Sequence, residues 1–195
     1  MKGVEHMEND YIRINPSWLK LDMYDFKILI ALSYLSQNGI FRNKLKSVCD
    51  FLGIFNSNKN MTKIKSTINN LKTEFNLPIN QEGYTWTIAL PAPSPEDIVI
   101  KKEDVDTIFH QQIGIERDAP SEATVLKLFA YLLLNGDKVE TYSEIGKKLN
   151  CSEATASRAA KSLMLYNFKN LNIEKKQSSP APMDLRVISF GIKEK

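Results

Sequence analysis

The chain has 195 residues, 43% of them hydrophobic and 25% charged, with a formal net charge of +3. That suits one large globular domain or two small ones. It leaves no apolar run near the ~20 residues needed to span a bilayer, and the opening MKGVEHMEND lacks the apolar core of a secretory signal.

A cytoplasmic protein with no membrane association is therefore expected. Cys49 and Cys151 have neither CxxC spacing nor a nearby histidine. They read as reduced, half-buried thiols, with no metal and no cofactor implied.

In chain order, Tyr11-Ile12-Arg13-Ile14 alternates as a strand does. Phe26, Leu29, Ile30 and Leu32 then recur at helical spacing, in an apolar segment running to Asn38-Gly39, a C-cap and turn signal. A short helix follows at LKSVCDFL (45–52), a turn at FNSNKN (55–60) and a third helix at NMTKIKSTINNLKTEF (60–75). Ile64, Ile68, Leu71 and Phe75 form the apolar stripe of that helix. Asn60, Thr62, Lys63, Lys65, Ser66, Asn69 and Lys72 stand around it. Residues 41–75 carry seven basic side chains (Arg42, Lys44, Lys46, Lys59, Lys63, Lys65, Lys72) against two acidic ones (Asp50, Glu74), a local excess larger than the net charge of the whole chain. The loop NLPINQEGYT (76–85) has almost no positive charge and carries Glu82, so little anion binding is expected of it. The strand TWTIAL (85–90) closes this half.

PAPSP (91–95) interrupts regular structure, and the order of features then returns. Ile98-Val99-Ile100-Lys101 suits a strand. Glu103, Asp104 and Asp106 resemble a solvated helix start more than a metal cluster. Val125, Leu128, Phe129 and Leu132 recur at helical spacing, and Asn135-Gly136 follows Asn38-Gly39 by 97 residues, as Leu149 follows Leu52. Thr141 and Glu144 form a capping box at the head of YSEIGKKL (142–149). Gly146 leaves room for a crossing helix, and Asn150-Cys151 makes a turn. Ser152 then caps SEATASRAAKSLMLYN (152–167). Ala156, Ala160 and Leu163 give its buried stripe, leaving Thr155, Ser157, Arg158, Lys161 and Ser162 outward. A polar loop, KNLNIEKKQSSPAPM (169–183), holds Lys169, Lys175 and Lys176, and the strand LRVISF (185–190) ends the series.

Strand, helix, helix, turn, helix and hairpin, given twice, is the order of a winged helix. The expected fold is mainly α with small β hairpins (α+β), arranged as two tandem winged-helix domains over 1–91 and 97–195 with a Pro-rich linker at 92–96. SEATASRAAKSL resembles the recognition helix of winged-helix regulators of the catabolite-activator and GntR types, in which Ser-x-x-Thr-Val-Ser-Arg-x-Leu-Lys-x-Leu recurs. Ser152, Thr155, Ser157, Arg158, Lys161 and Leu163 match, while Ala156 and Ala160 replace larger aliphatics. The overall arrangement also resembles initiators of plasmid or phage replication.

These resemblances imply sequence-specific binding of double-stranded DNA, in transcription regulation or in the control or initiation of plasmid or phage replication. The expected contacts are Asn60, Thr62, Lys63, Lys65, Ser66, Asn69 and Lys72 from the first domain. From the second they are Ser152, Thr155, Ser157, Arg158 and Lys161, with Lys175 and Lys176 on a wing. A homodimer stays open, and no small-molecule ligand is expected.

Catalysis leaves no trace: GxxxxGK[ST] and GxSxG are absent, and neither His6 nor His110 has an implied partner. An enzyme is therefore not expected. A non-enzymatic adaptor that binds protein partners remains the rival, favoured by the small net charge and by the acidic stretch 96–118.

Overall fold

A computed structural model describes residues 10–111, 121–135, 140–166, 168, 172–177 and 186–191. The chain is a mixed α+β protein, mostly helical with small antiparallel sheets, and it divides into two units. No helix among the described residues is long and apolar enough to cross a membrane.

The first unit is built around helix α1 (Met23–Leu35). Asp22 starts this helix by accepting hydrogen bonds from the backbone N–H of Tyr24 (2.7 Å) and Asp25 (2.9 Å). Phe26, Ile28, Leu29, Ile30, Ala31 and Leu32 are all buried, so the helix is apolar almost all round, as an interior helix must be. Strand β1 (Tyr11–Ile14) precedes it. Strand β2 (Ile40–Lys44), α2 (Lys46–Phe51), α3 (Asn58–Phe75), β3 (Ile79–Glu82), β4 (Thr85–Ala89) and β5 (Ile98–Lys101) follow. Strands β1 and β5 pair antiparallel, with Ile12 opposite Ile100 and Ile14 opposite Ile98, and all four isoleucines are buried. The other sheet has the order β2-β4-β3. Phe41, Trp86 and Ile88 of this sheet are buried, as are Ile64, Ile68 and Leu71 of α3.

Asn38-Gly39 makes the expected turn but does not cap helix α1. Helix α1 ends at Leu35, and Asn38 and Gly39 take left-handed backbone angles (φ 51° and 74°) in a tight turn. Gln37 and Ile40 exchange backbone hydrogen bonds of 3.0 and 2.9 Å across it. The pair therefore starts β2, a strand that periodicity does not reveal because only Phe41 of its five residues is buried.

The second unit contains α4, which starts at the division (Lys102–His110), α5 (Glu122–Asn135), β6 (Glu140–Thr141), α6 (Tyr142–Lys148), α7 (Glu153–Leu165), β7 (Asn172–Gln177) and β8 (Arg186–Gly191). Its sheet order, β6-β8-β7, repeats the pattern β2-β4-β3 of the first unit. Helix α5 buries Val125, Leu126, Leu128, Phe129 and Leu132, and Phe168 stacks on Phe129 at 4.7 Å between ring centroids. The four buried side chains of α7 are Ala156, Ala159, Ala160 and Leu163, one alanine more than the stripe read from spacing.

Each unit draws on two stretches of chain. Strand β5 lies beyond the prolines expected to mark a linker at 92–96, yet it belongs with the first unit. Pro16–Leu21 belongs with the second, where Trp18, Leu19 and Leu21 are buried. Lys127 fastens that segment. Its side chain is 0% exposed, and its ammonium donates to the Leu21 carbonyl and, at 3.3 Å, to the Leu149 carbonyl. A buried charge is tolerated only with such partners. Asn150 adds a weaker bond, donating to the Lys20 carbonyl at 3.5 Å.

Lys127→Met keeps an apolar stem of similar length but removes this donor from two carbonyls. Urea unfolding of the full chain is expected to show a loss of about 2 kcal/mol; an unchanged midpoint would mean that the buried ammonium contributes nothing net.

Candidate nucleic-acid interface

In the second unit, α6, the turn after it and α7 form a helix-turn-helix unit whose geometry is set by four local devices. The first is the capping box. Thr141 Oγ1 accepts from the Glu144 backbone N–H at 3.2 Å, and Glu144 Oε2 accepts from the Thr141 backbone N–H at 2.8 Å. The Thr141 backbone N–H, and then its hydroxyl donating to the same Oε2 at 2.9 Å, hold the Glu144 carboxyl below the usual carboxylate range. The second is Gly146: a Cβ there would lie 2.8 Å from the Cys151 carbonyl oxygen and 3.3 Å from the Glu153 nitrogen. The close approach expected of this glycine is thus to the turn and the first residue of α7. The third is Asn150, at φ 53°, a left-handed position that asparagine tolerates better than most residues. The fourth is Ser152, whose Oγ accepts from the Thr155 backbone N–H at 3.1 Å and lies 2.7 Å from Thr155 Oγ1.

With its small-residue side buried, α7 turns Ser152, Arg158 and Lys161 fully outward and leaves Thr155 and Ser157 half-buried. Ser152 and Thr155 spend part of their hydrogen-bonding capacity on the cap. Cys151 is half-buried in the turn; burial pushes its thiol up, and Lys127 acts weakly in the other direction.

Sequence reasoning missed a polar cluster behind α6. Tyr131 OH donates to Glu140, while Lys148 Nζ pairs with Glu140 and donates to Tyr131 OH at 2.9 Å. These bonds, first to Glu140 and then to Tyr131, raise the Lys148 pKa. They bind α5, β6 and α6 together, so this lysine is committed to the scaffold.

Lys175 and Lys176 were expected in a loop. They lie on strand β7, opposite Ile188 and Val187 of β8, because Asn172–Gln177 pairs along its whole length with β8. Lys169 and residues 178–185 fall outside the described residues.

In the first unit α3 begins at Asn58, two residues before the expected start, because Ser57 caps it by accepting from the Asn60 backbone N–H at 3.2 Å. Asn60 is half-buried and its Nδ2 donates to the Phe55 carbonyl at 2.8 Å, so its amide braces the turn. Thr62, Lys63, Lys65, Ser66, Asn69 and Lys72 are exposed. Lys63 lies 3.7 Å from the centre of the Tyr24 ring, a cation–π contact that holds it against α1. Thr67, outside the expected set, is buried. The cations that sequence reasoning counted but did not place are Arg42 and Lys44, both exposed on β2.

Elsewhere, His110 has a partner that its sequence context did not suggest: Asp106 Oδ1 lies 3.3 Å from its Nδ1, one turn back on α4. Among the described residues no group of three or more His, Cys, Asp or Glu is placed to hold a metal.

Two measurements test the local account of α6 and α7. Gly146→Ala forces a methyl group against backbone and should cost about 1–3 kcal/mol in urea unfolding; a neutral change would show that the turn yields freely. The lowered pKa of Glu144 means that its capping contribution is full above the unfolded carboxylate pKa and is lost as pH falls through the folded one. Glu144→Ala should therefore destabilise the protein at neutral pH and do much less at about pH 2. No protein-family model matches the chain, and no curated protein matches it.

Proposed function

We propose that both units are winged helices and that the chain is a sequence-specific double-stranded-DNA-binding protein, acting in transcription regulation or in the control or initiation of plasmid or phage replication. The observation that carries this reading is the repeated helix-turn-helix with an outward polar, cation-bearing second helix. Helix α7 hides Ala156, Ala159, Ala160 and Leu163 while exposing Arg158 and Lys161, and α3 hides Ile64, Ile68 and Leu71 while exposing Lys65 and Lys72. The element order and the strand order in both units are consistent with it.

In this reading α7 enters the major groove, about 12 Å wide. The Arg158 guanidinium is suited to two parallel hydrogen bonds to the O6 and N7 of a guanine. Ser157, Thr155 and Lys161 address neighbouring base edges or phosphates. Helix α3 is richer in cations. Lys65 and Lys72 neutralise backbone phosphates, and Asn69 and Ser66 reach base edges or sugars. Because the two helices differ in chemistry, the recognised site is asymmetric.

The rival, a protein-binding adaptor, has one observation in its favour: Leu134, Met164 and Leu165 are exposed in the second unit.

Selection of bound duplexes from a random pool, followed by binding at two salt concentrations, separates the two. The DNA reading expects strong salt dependence. Arg158→Ala should relax preference at one position by ~1–3 kcal/mol, and Lys65→Ala should weaken all sequences alike and lower the salt slope by about one. An absent or salt-insensitive shift would favour the adaptor, and an unchanged preference in Arg158→Ala would remove α7 as the reading helix.

A further inference from the structure

The two most exposed large apolar side chains among the described residues both lie in loops of the first unit: Phe55 at 83% and Tyr84 at 84%. Tyr84 occupies the more constrained place. Strand β3 ends at Glu82 and β4 begins at Thr85, so the hairpin turn is Gly83-Tyr84 alone. Gly83 has φ +59° and Tyr84 does not share a positive φ, the arrangement of a type II′ turn, which needs glycine first and leaves its second position free. Gln81 Nε2 donates to the Gly83 carbonyl at 2.8 Å and stiffens the tip. Nothing in the turn requires an aromatic ring at its apex.

Strand register supplies an independent observation. In the centre strand, Thr85 stands between Lys44 of β2 and Glu82 of β3, and Thr87 between Arg42 and Asn80. Alternate residues of a strand share a face. Phe41, Trp86 and Ile88 occupy the buried face, so Arg42, Lys44, Thr85, Thr87, Asn80 and Glu82 share the other. Lys44 thus sits in the row next to the tip. Among the described residues neither Arg42 nor Lys44 pairs with a carboxylate, and Glu82 accepts from Asn80 Nδ2 at 3.2 Å. The hairpin's own residues carry Glu82 and no cation; the third strand of the sheet brings Arg42 and Lys44 beside it.

We infer that this tip is a wedge for duplex DNA: Tyr84 enters the minor groove and stacks at a base step, kinking the duplex, while Lys44 and Arg42 hold the flanking phosphates. The inference rests on the DNA-binding reading above and deepens it. The minor groove is only about 6 Å wide, and a two-residue turn with one large side chain is a narrow enough probe. An aromatic ring stacks on any base, and its cationic neighbours anchor the backbone. The wedge therefore deforms DNA without reading its sequence, a task different from that of Arg158.

The test uses the full chain and a duplex that the wild-type protein selects from a random pool. Affinity is read by fluorescence anisotropy, and bending by the gel mobility of circularly permuted fragments. Tyr84→Ser should weaken binding about tenfold and remove most of the bend, and Tyr84→Trp should restore both. The Arg42→Ala, Lys44→Ala double variant should lower the salt slope by about two and keep the bend. Tyr84 is exposed, so far-UV circular dichroism should be unchanged in all of them. A straight wild-type complex, a Tyr84→Ser variant equal to wild type, or a Tyr84→Trp variant as weak as serine overturns the wedge. If Arg158→Ala alters preference while Tyr84→Ser is silent, the wedge alone falls. If the wild-type chain binds no duplex, the DNA reading falls and the wedge with it.

Discussion

A single missing side chain governs the outward surface of the second unit. The backbone of α6 at Gly146 lies so near the turn that a methyl group would meet the Cys151 carbonyl at 2.8 Å. That separation fixes where the turn runs, and the turn fixes where Ser152 can cap α7. The helix is then seated by alanines, which add little bulk between it and its neighbours. A larger residue at any of these places would push α7 outward or rotate it. Arg158 and Lys161 face away from the protein because the opposite side can lie so close.

The first unit reaches a related result by other means. Its third helix is longer, it is capped by Ser57, and it carries isoleucine and leucine where α7 carries alanine. Its outward side is also richer in lysine than that of α7. Part of that charge is used internally: Lys63 rests on the Tyr24 ring, and Asn60 braces the turn. Lys65, Ser66, Asn69 and Lys72 are exposed along the helix. The proposed division of labour, with one helix reading bases through a guanidinium and the other gripping phosphates, follows from this difference in chemistry.

What could be read from the sequence was local. The capping box at Thr141 and Glu144, the Ser152 cap, the turn at Asn150-Cys151 and the apolar stripes of α3 and α7 all depend on residues a few positions apart, and all appear in the structure, except that Phe75, expected in the buried stripe of α3, is half-buried. What escaped was pairing over long separations. Strand β5 joins β1 across 84 positions (Ile14 to Ile98) to 90 (Tyr11 to Lys101), for which alternation in either strand names no partner. Lys127, which helical periodicity does not single out, is buried where Leu21 and Leu149 bring carbonyls to it. The Asn38-Gly39 signal is right as a turn and wrong as a helix cap, because the same dipeptide equally makes a tight turn between extended segments. The charge beside the first hairpin was hidden for the same reason: Arg42 and Lys44 precede it by about forty residues and arrive through strand pairing.

The most direct test of the central claim is amide chemical-shift mapping of the full chain as a mixed-sequence duplex is added at low salt. The account predicts that the perturbed residues concentrate on the exposed sides of α7, around Arg158 and Lys161, and of α3, around Lys65 and Lys72. Perturbations confined to other surfaces, or none at all, would contradict it.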